Sequence, residues 1–174
     1  MKIKKNSSKF LFCSVAATLS LIAVPAAADQ DSPRLTVAFI SDAAQGKSIT
    51  REQYDRAIEK LEDTGTDGIR GFYAANNLCV SYLKVGEAEK AQLACDTAVI
   101  RIERLMKKTQ SVAKSRTLVN DYSRLLAVAL SNRGVVNFVN DKPEMARDDF
   151  EAAIETGSGI REAKINLARL AESA

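Results

Sequence analysis

Side chains suited to catalysis are sparse in this sequence, which contains no histidine. Because histidine is the usual general base and a common zinc ligand, its absence excludes Ser-His-Asp and Cys-His nucleophiles and disfavours a zinc site. The glycines within 65–71 lack the Lys-Ser/Thr that follows in a nucleotide-binding loop. A pair of carboxylates could still meet in a folded cleft. The residue types therefore predict a non-catalytic protein with no metal and no cofactor.

The sequence has 3 cysteines, Cys13, Cys79 and Cys95. Cys13 lies inside an apolar stretch, too early to carry a lipid at a cleavage site. No Cys-x-x-Cys spacing exists, which argues against redox catalysis, and two cysteines without histidine make a poor metal site. Cys79 and Cys95 are left as a disulfide or as two buried thiols.

The N-terminus has the three parts of a secretory signal peptide. Four lysines within 2–9 precede an apolar stretch at 10–24, and three alanines at 26–28 supply a cleavage site. This pattern predicts that 1–28 is a signal peptide, removed after Ala28. The alternative is an uncleaved membrane anchor, but fifteen residues are short for a hydrocarbon core of about 30 Å.

Cleavage changes the charge of the chain. It removes four lysines and no acid from a formal net charge of +3, leaving a net charge of −1. A nucleic-acid partner is therefore not expected. No later apolar stretch is long enough to span a membrane. The sequence predicts an exported protein, in the bacterial periplasm or, as the alternative, secreted.

An internal repeat runs through the remaining chain. Tyr54-Asp55-Arg56-Ala57 aligns with Ala88-Glu89-Lys90-Ala91 at a shift of 34, and Asn132 aligns with Asn166 at the same shift. The middle offset is 55 for both Asn77 to Asn132 and Ala91 to Ala146, which is 34 plus 21. Two independent landmarks share this offset, so a repeat of 34 residues with one insertion is indicated.

Apolar residues recur at helical spacing through the repeats. Gly86 and the Asp141-Lys142-Pro143 stretch supply turns, with Pro143 in the first helical turn. Thr50 with Gln53 forms a candidate capping box for the first clear helix. Before it, Leu35, Val37 and Phe39 alternate with smaller residues. That alternation fits an extended arm packed along the first helices, and a short helix fits nearly as well.

The repeat resembles the tetratricopeptide repeat, a helix-turn-helix unit of 34 residues. The better copy matches its pattern at Leu78, Cys79, Tyr82, Gly86, Ala91, Cys95 and Ala98. The next copy matches it at Gly134, Ala146, Phe150 and Ala153 and departs from it at Arg133 and Asn137. The resemblance implies an all-α fold, a short solenoid of antiparallel helix pairs with about six helices.

The resemblance also organises the chain. It implies an irregular N-terminal arm at 29–49 and a helical repeat domain at 50–172, with a half unit at each end. The small residues should face each other across each pair, Cys79 towards Ala91 and Gly134 towards Ala146. The 21 extra residues predict lengthened helices after Gly86 and before Gly134, joined by a turn near 109–115. A separate short helix there is the alternative.

Two sites follow from the resemblance. The recurring asparagines take the position that lines the groove in this family, where amides could hydrogen-bond the backbone of an extended peptide. The expected groove residues are Asn77, Val80, Leu83, Asn132, Arg133, Val135, Asn166 and Arg169. The alternative is that these asparagines satisfy polar groups between helices. Cys79 and Cys95 would face each other in the resembled repeat, so we hypothesise a disulfide.

The function expected from this resemblance is a non-catalytic exported adaptor that binds a protein or peptide of the cell envelope in a concave groove. The alternative is a structural or assembly subunit of an envelope complex that associates through its end faces. Self-association stays open, because the last unit lacks its second helix. The partner, the pathway and the oligomeric state are not specified by the sequence.

Overall fold

The structure, a computed structural model, describes residues 34–64, 67–112, 116–156 and 160–172. The predicted signal peptide at 1–28 lies outside the described residues. Residues 31–174 form one compact unit. Within the described ranges the chain contains helices and no strand, which confirms the all-α class predicted from the sequence.

The described residues form seven helices, in chain order α1 (Gly46–Thr50), α2 (Tyr54–Glu62), α3 (Gly68–Lys84), α4 (Ala88–Val112), α5 (Arg116–Val139), α6 (Pro143–Glu155) and α7 (Arg161–Glu172). The expected number was about six. The additional helix is α1, which lies in the segment predicted to be irregular. Its 5 residues are too few to show a helical period, and it is held by the burial of Ile49 against Ala57 and Leu61.

Helices α3 to α7 pack in sequence, each on the next, and α3 also contacts α5 as α5 contacts α7. The odd-numbered helices therefore lie side by side and present one continuous surface. The insertion lengthens α4 to 25 residues and α5 to 24 residues, as predicted. The turn between them was expected near 109–115; α4 continues to Val112, and 113–115 lie outside the described residues.

Two helix ends have the same turn geometry. After α3, Glu87 N–H donates to Tyr82 O and Gly86 N–H donates to Leu83 O, with Gly86 at φ 82°. This is the Schellman arrangement, which needs a left-handed residue after the helix. After α5 the same bonds recur, and Asp141 takes the left-handed position at φ 58°. Pro143 then begins α6, as its position in the sequence predicts.

The predicted capping box is wrong. Helix α2 begins at Tyr54 with Gln53 at its N-cap, and no side chain caps it. The Thr50 hydroxyl instead donates to Gly46 O inside α1. Thr50 therefore belongs to α1 and does not cap α2.

The residues expected to pack within each repeat are buried or half-buried between helices. Gly134 lies so close to α6 that a Cβ there would be 2.6 Å from the Phe150 ring and 3.1 Å from Ala146 O. Small residues therefore set the spacing of the pair. The remaining members lie in the core clusters of the described chain, namely Leu78, Tyr82, Ala91, Ala98, Ala146, Phe150 and Ala153.

Candidate functional site

The candidate site is the surface of α3, α5 and α7, and the N-terminal arm at 34–40 runs across it without regular secondary structure. Alternate arm residues play different parts. Leu35, Val37 and Phe39 pack against buried apolar side chains of the helices. The main chain of the residues between them is hydrogen-bonded to asparagines. Over 34–40 the arm agrees with the extended alternative, and the alternating pattern identifies its packed side.

Each recurring asparagine binds one arm residue through both of its amide atoms. The Oδ1 atom accepts the N–H of the arm residue, and Nδ2 donates to the C=O of that same residue. We call this set the asparagine ladder: Asn166 with Thr36 (2.8 and 2.7 Å), Asn132 with Ala38 (2.8 and 2.6 Å) and Asn77 with Ile40 (2.8 and 3.0 Å). One helix supplies each rung, and the arm advances two residues per rung.

The ladder is buried, and this explains why it uses amides. The side chains of Asn77, Asn132 and Asn166 are all 0% exposed. A buried amide without partners would cost roughly 2–3 kcal/mol, so the arm backbone and the asparagines satisfy one another. Both partners are neutral. At Ala38 and Ile40 the ladder binds the main chain alone. At Thr36 the Oδ1 atom of Asn166 also accepts a hydrogen bond from the threonine hydroxyl at 3.1 Å.

Asn76 is a further member that the repeat pattern does not show. Its Oδ1 accepts from Asn132 Nδ2 at 3.0 Å, and its Nδ2 donates to Ala38 O at 3.3 Å. Asn76 is fully buried, and its Nδ2 also donates to Asn77 Oδ1 at 3.4 Å, so it links the Asn132 rung to the Asn77 rung. The adjacent pair Asn76-Asn77 was the available signal, because two consecutive amides on a buried face need several partners.

The apolar groove residues lie beside the arm. Val80 packs in the cluster that contains Val37 and Phe39, and Val135 and Leu83 pack in the cluster that contains Leu35 and Val37. Arg169 Nη1 donates to Arg34 O, at the end of the arm. These four residues and the asparagines are thus brought together, and in this structure the chain's own arm lies against them.

Arg133 is the exception among the expected groove residues. Its Nη2 donates to Asp149 Oδ1 at 2.6 Å and its Nε to Asp149 Oδ2 at 3.0 Å, across the α5–α6 contact. Asn137 donates to the same carboxylate at 2.8 Å. The hydrogen bond to Asp149 raises the pKa of Arg133. Because adjacent helical residues point about 100° apart, Arg133 turns away from the arm where Asn132 faces it.

Cys79 and Cys95 form a disulfide that joins α3 to α4, with Cα atoms 5.0 Å apart. Both residues are buried, in a cluster with Tyr82 and Ala91. Cys79 lies two residues beyond the Asn77 rung, so the bridge fixes the helix that carries this rung against its neighbour. This agrees with the hypothesised disulfide.

Tyr82 lies beside the disulfide, and its hydroxyl group donates a hydrogen bond to Glu62. Burial, followed by the bond to Glu62, raises the pKa of Tyr82 to about 12. A raised pKa means that the folded protein favours the neutral phenol. Tyr82 therefore contributes its full stabilisation of the fold below pH 10, and this contribution is lost as the pH rises through 12.

Tyr82→Phe should remove a step near pH 12 from an alkaline titration of the protein followed by absorbance at 295 nm. Loss of a step near pH 10 instead would contradict this.

The side chains that contact the arm are amides, apolar groups and Arg169. Among the described residues, no three His, Cys, Asp or Glu side chains cluster as metal ligands would. Within the same ranges, no helix combines the length and the apolar character needed to cross a bilayer. No known protein family's sequence profile matches the chain, and a comparison with curated proteins gives no significant match.

Proposed function

We propose that this protein is an exported, non-catalytic interaction module of the tetratricopeptide type, and that its groove binds an extended segment of a partner protein in the cell envelope. The observation that carries the proposal is the asparagine ladder, which holds three alternate residues of an extended chain by both main-chain groups. The Cys79–Cys95 disulfide supports an oxidising compartment outside the cytoplasm.

The apolar contacts of the arm define the class of segment that fits. Leu35, Val37 and Phe39 each reach a buried cluster, while Thr36 and Ala38 lie between them with small side chains. A matching ligand is an extended stretch with apolar side chains at alternate positions. The ladder supplies binding that is independent of sequence, and the three apolar positions supply selectivity.

The arm is then an internal competitor for the partner. A tethered segment acts at an effective concentration that reaches the millimolar range for short linkers. A partner binds only the fraction of molecules with an open groove, and its apparent affinity is reduced by that fraction. A segment that fits better than the arm, or one presented at high local concentration, displaces it.

The test uses the protein without residues 1–28 and a labelled peptide with the sequence of 34–41. Val37→Asp weakens the tethered arm, because the carboxylate would enter an apolar cluster. We expect this variant to bind the peptide measurably by fluorescence polarisation. Adding Asn132→Ala should weaken binding at least tenfold, because the central rung is lost.

The matched control adds Asn140→Ala, which removes an amide that donates to Gln92 rather than to the arm. We expect it to leave peptide binding unchanged. Circular dichroism verifies that each variant is folded. If folded Val37→Asp protein releases its arm and still fails to bind the peptide, the groove does not accept an external segment and the proposal is wrong.

One observation favours the second candidate, an assembly subunit whose arm stays in place. A cavity of about 540 Å³ lies between α2 and α4, lined by Leu61, Leu78 and Leu93. Leu93 is 71% exposed, so an apolar side chain at the edge of the cavity is accessible to a partner. This surface differs from the end faces suggested by the sequence. Loss of a co-purified partner on Leu93→Glu but not on Asn132→Ala would favour it.

A further inference from the structure

The turn between the arm and α1 has unusual backbone geometry. Residues 41–45 connect the two elements, and Ala44 and Gln45 have φ values of 42° and 61°. This left-handed region favours glycine, because a Cβ atom there crowds the following carbonyl group. Two consecutive residues of this kind make the closed turn a strained connection.

The same turn is crowded by its own backbone. A Cβ on Gly46 would be 2.3 Å from Ile40 O and 2.3 Å from Ser41 O, so the closed turn accepts only glycine there. The turn is held from outside by Asn77, whose Nδ2 donates to Ala43 O at 3.2 Å and to Ala44 O at 2.9 Å. Asn77, which forms the Ile40 rung of the ladder, therefore also stabilises the closed turn.

The bonds that hold the arm do not depend on which molecule supplies it. The ladder contacts the main chain of 36, 38 and 40, and the apolar clusters contact the side chains of 35, 37 and 39. An arm from another copy would make all of them. Exchange therefore conserves the contacts of 34–40. It gives up the two bonds from Asn77 to Ala43 O and Ala44 O, relieves the geometry of 41–45 and costs the freedom lost on association.

We infer that two copies of this protein exchange their arms: residues 34–40 of each lie in the ladder of the other, and 41–45 become extended. This rests on the proposed function, since it names a second copy as a partner whose extended segment the groove accepts. Strained short connections are known to favour such exchange. Five extended residues span about 17 Å, so the two grooves must meet at their α1 ends.

Substitutions at the hinge should move the equilibrium in opposite directions. Ala44→Pro fixes φ near −65°, which the closed turn cannot accept, while the extended hinge can. We expect its dimer dissociation constant, measured by sedimentation equilibrium without residues 1–28, to be at least tenfold lower than that of the unsubstituted protein. Gln45→Gly adopts the left-handed turn without strain, so its dimer should be weaker.

Crosslinking identifies the exchanged segment. Arg34→Cys protein is labelled with nitrogen-15, and Arg169→Cys protein is left unlabelled. The two proteins are mixed, unfolded together and refolded together. Arg169 reaches Arg34 O in the closed form, so exchange brings these positions together between copies. A bismaleimide should then link labelled to unlabelled peptides, while Cys79 and Cys95 are occupied in their disulfide.

Each outcome decides the inference. Mixed-isotope links together with opposite hinge effects support arm exchange. A dimer that forms equally well in both hinge variants uses another surface and overturns it, as does a monomeric Ala44→Pro protein. If Ala44→Pro does not fold, an unchanged dimer constant in Gln45→Gly overturns it. When no exchange is seen but the 34–41 peptide binds the Val37→Asp variant, the inference fails and the proposed function stands.

Discussion

Asn132→Ala is expected to destabilise the fold by about 3 kcal/mol and to release the middle of the arm. The substitution removes two bonds to Ala38 and one to Asn76, at 2.8, 2.6 and 3.0 Å. It leaves the Ala38 N–H without its acceptor, and each buried polar group left unpaired costs about 1–3 kcal/mol. Urea denaturation measures the loss, and hydrogen exchange of the Ala38 amide should accelerate relative to amides of α4.

Asn140→Ala is the matched control for this prediction. It deletes the same amide from a half-buried position beyond the end of α5, where the side chain donates to Gln92 at 3.2 Å. Its cost should be about 0.5–1 kcal/mol, and Ala38 exchange should not change. If Asn132→Ala costs no more than Asn140→Ala, the ladder does not hold the arm.

The ladder was the part of the site most accessible to sequence reasoning. Asn77, Asn132 and Asn166 recur at the repeat spacing, and each amide side chain carries both a donor and an acceptor. A row of such amides suits a partner that offers an N–H and a C=O at each step, as an extended main chain does. The sequence predicted that these amides bind an extended backbone, and in the structure the backbone they bind is that of the chain's own arm. The chain's own arm in that position could not be deduced, because alternation at Leu35, Val37 and Phe39 marks a packed face without saying which surface it packs on.

The position of Arg133 and the role of its partner Asp149 were not predicted, and both have the same cause. Spacing along one helix groups Arg133 with Asn132, but the partner of Arg133 lies on the next helix. Arg133 and Asp149 are 16 residues apart, as are Cys79 and Cys95. Both pairs cross a helix-turn-helix unit at the same offset. Having placed the cysteines opposite each other, the sequence therefore contained the signal that Asp149 lies opposite Arg133.

Most of the helices could be predicted from local sequence patterns. Helix α1 is the exception, because it depends on tertiary contacts. Periodic apolar stretches predicted α4 and α5, and the 21 extra residues in the repeat offset predicted their added length. Helix α1 has 5 residues and is formed because Ile49 is buried and because Asn77 holds the preceding turn. Neither cause is visible in a short window of sequence.

Asp149→Ala is expected to have the largest effect, about 3–5 kcal/mol of lost stability. Asp149 is 5% exposed and accepts the hydrogen bonds of both Arg133 and Asn137. Without it, the half-buried guanidinium keeps its charge, because arginine does not lose its proton in folded proteins. Removing Asp149 leaves Arg133 with a single, longer ion pair, from Nη1 to Asp96 Oδ1 at 3.7 Å. Breaking a buried pair on one side costs more than the pair contributes, because most of the remaining charge loses its partner. Urea denaturation again gives the value.

Asp148→Ala is the control, because Asp148 is the exposed neighbour on the same helix and its loss should change stability by less than about 0.5 kcal/mol. The double variant Arg133→Met/Asp149→Leu separates charge from packing. If the unpaired charge is the cause, replacing both partners with apolar side chains should recover the part of the loss that comes from the guanidinium. The part that comes from Asn137 remains, because its amide loses its acceptor in both variants. If instead the double variant is as unstable as Asp149→Ala, the contact between α5 and α6 depends on the shape of these side chains. The charge argument would then be wrong.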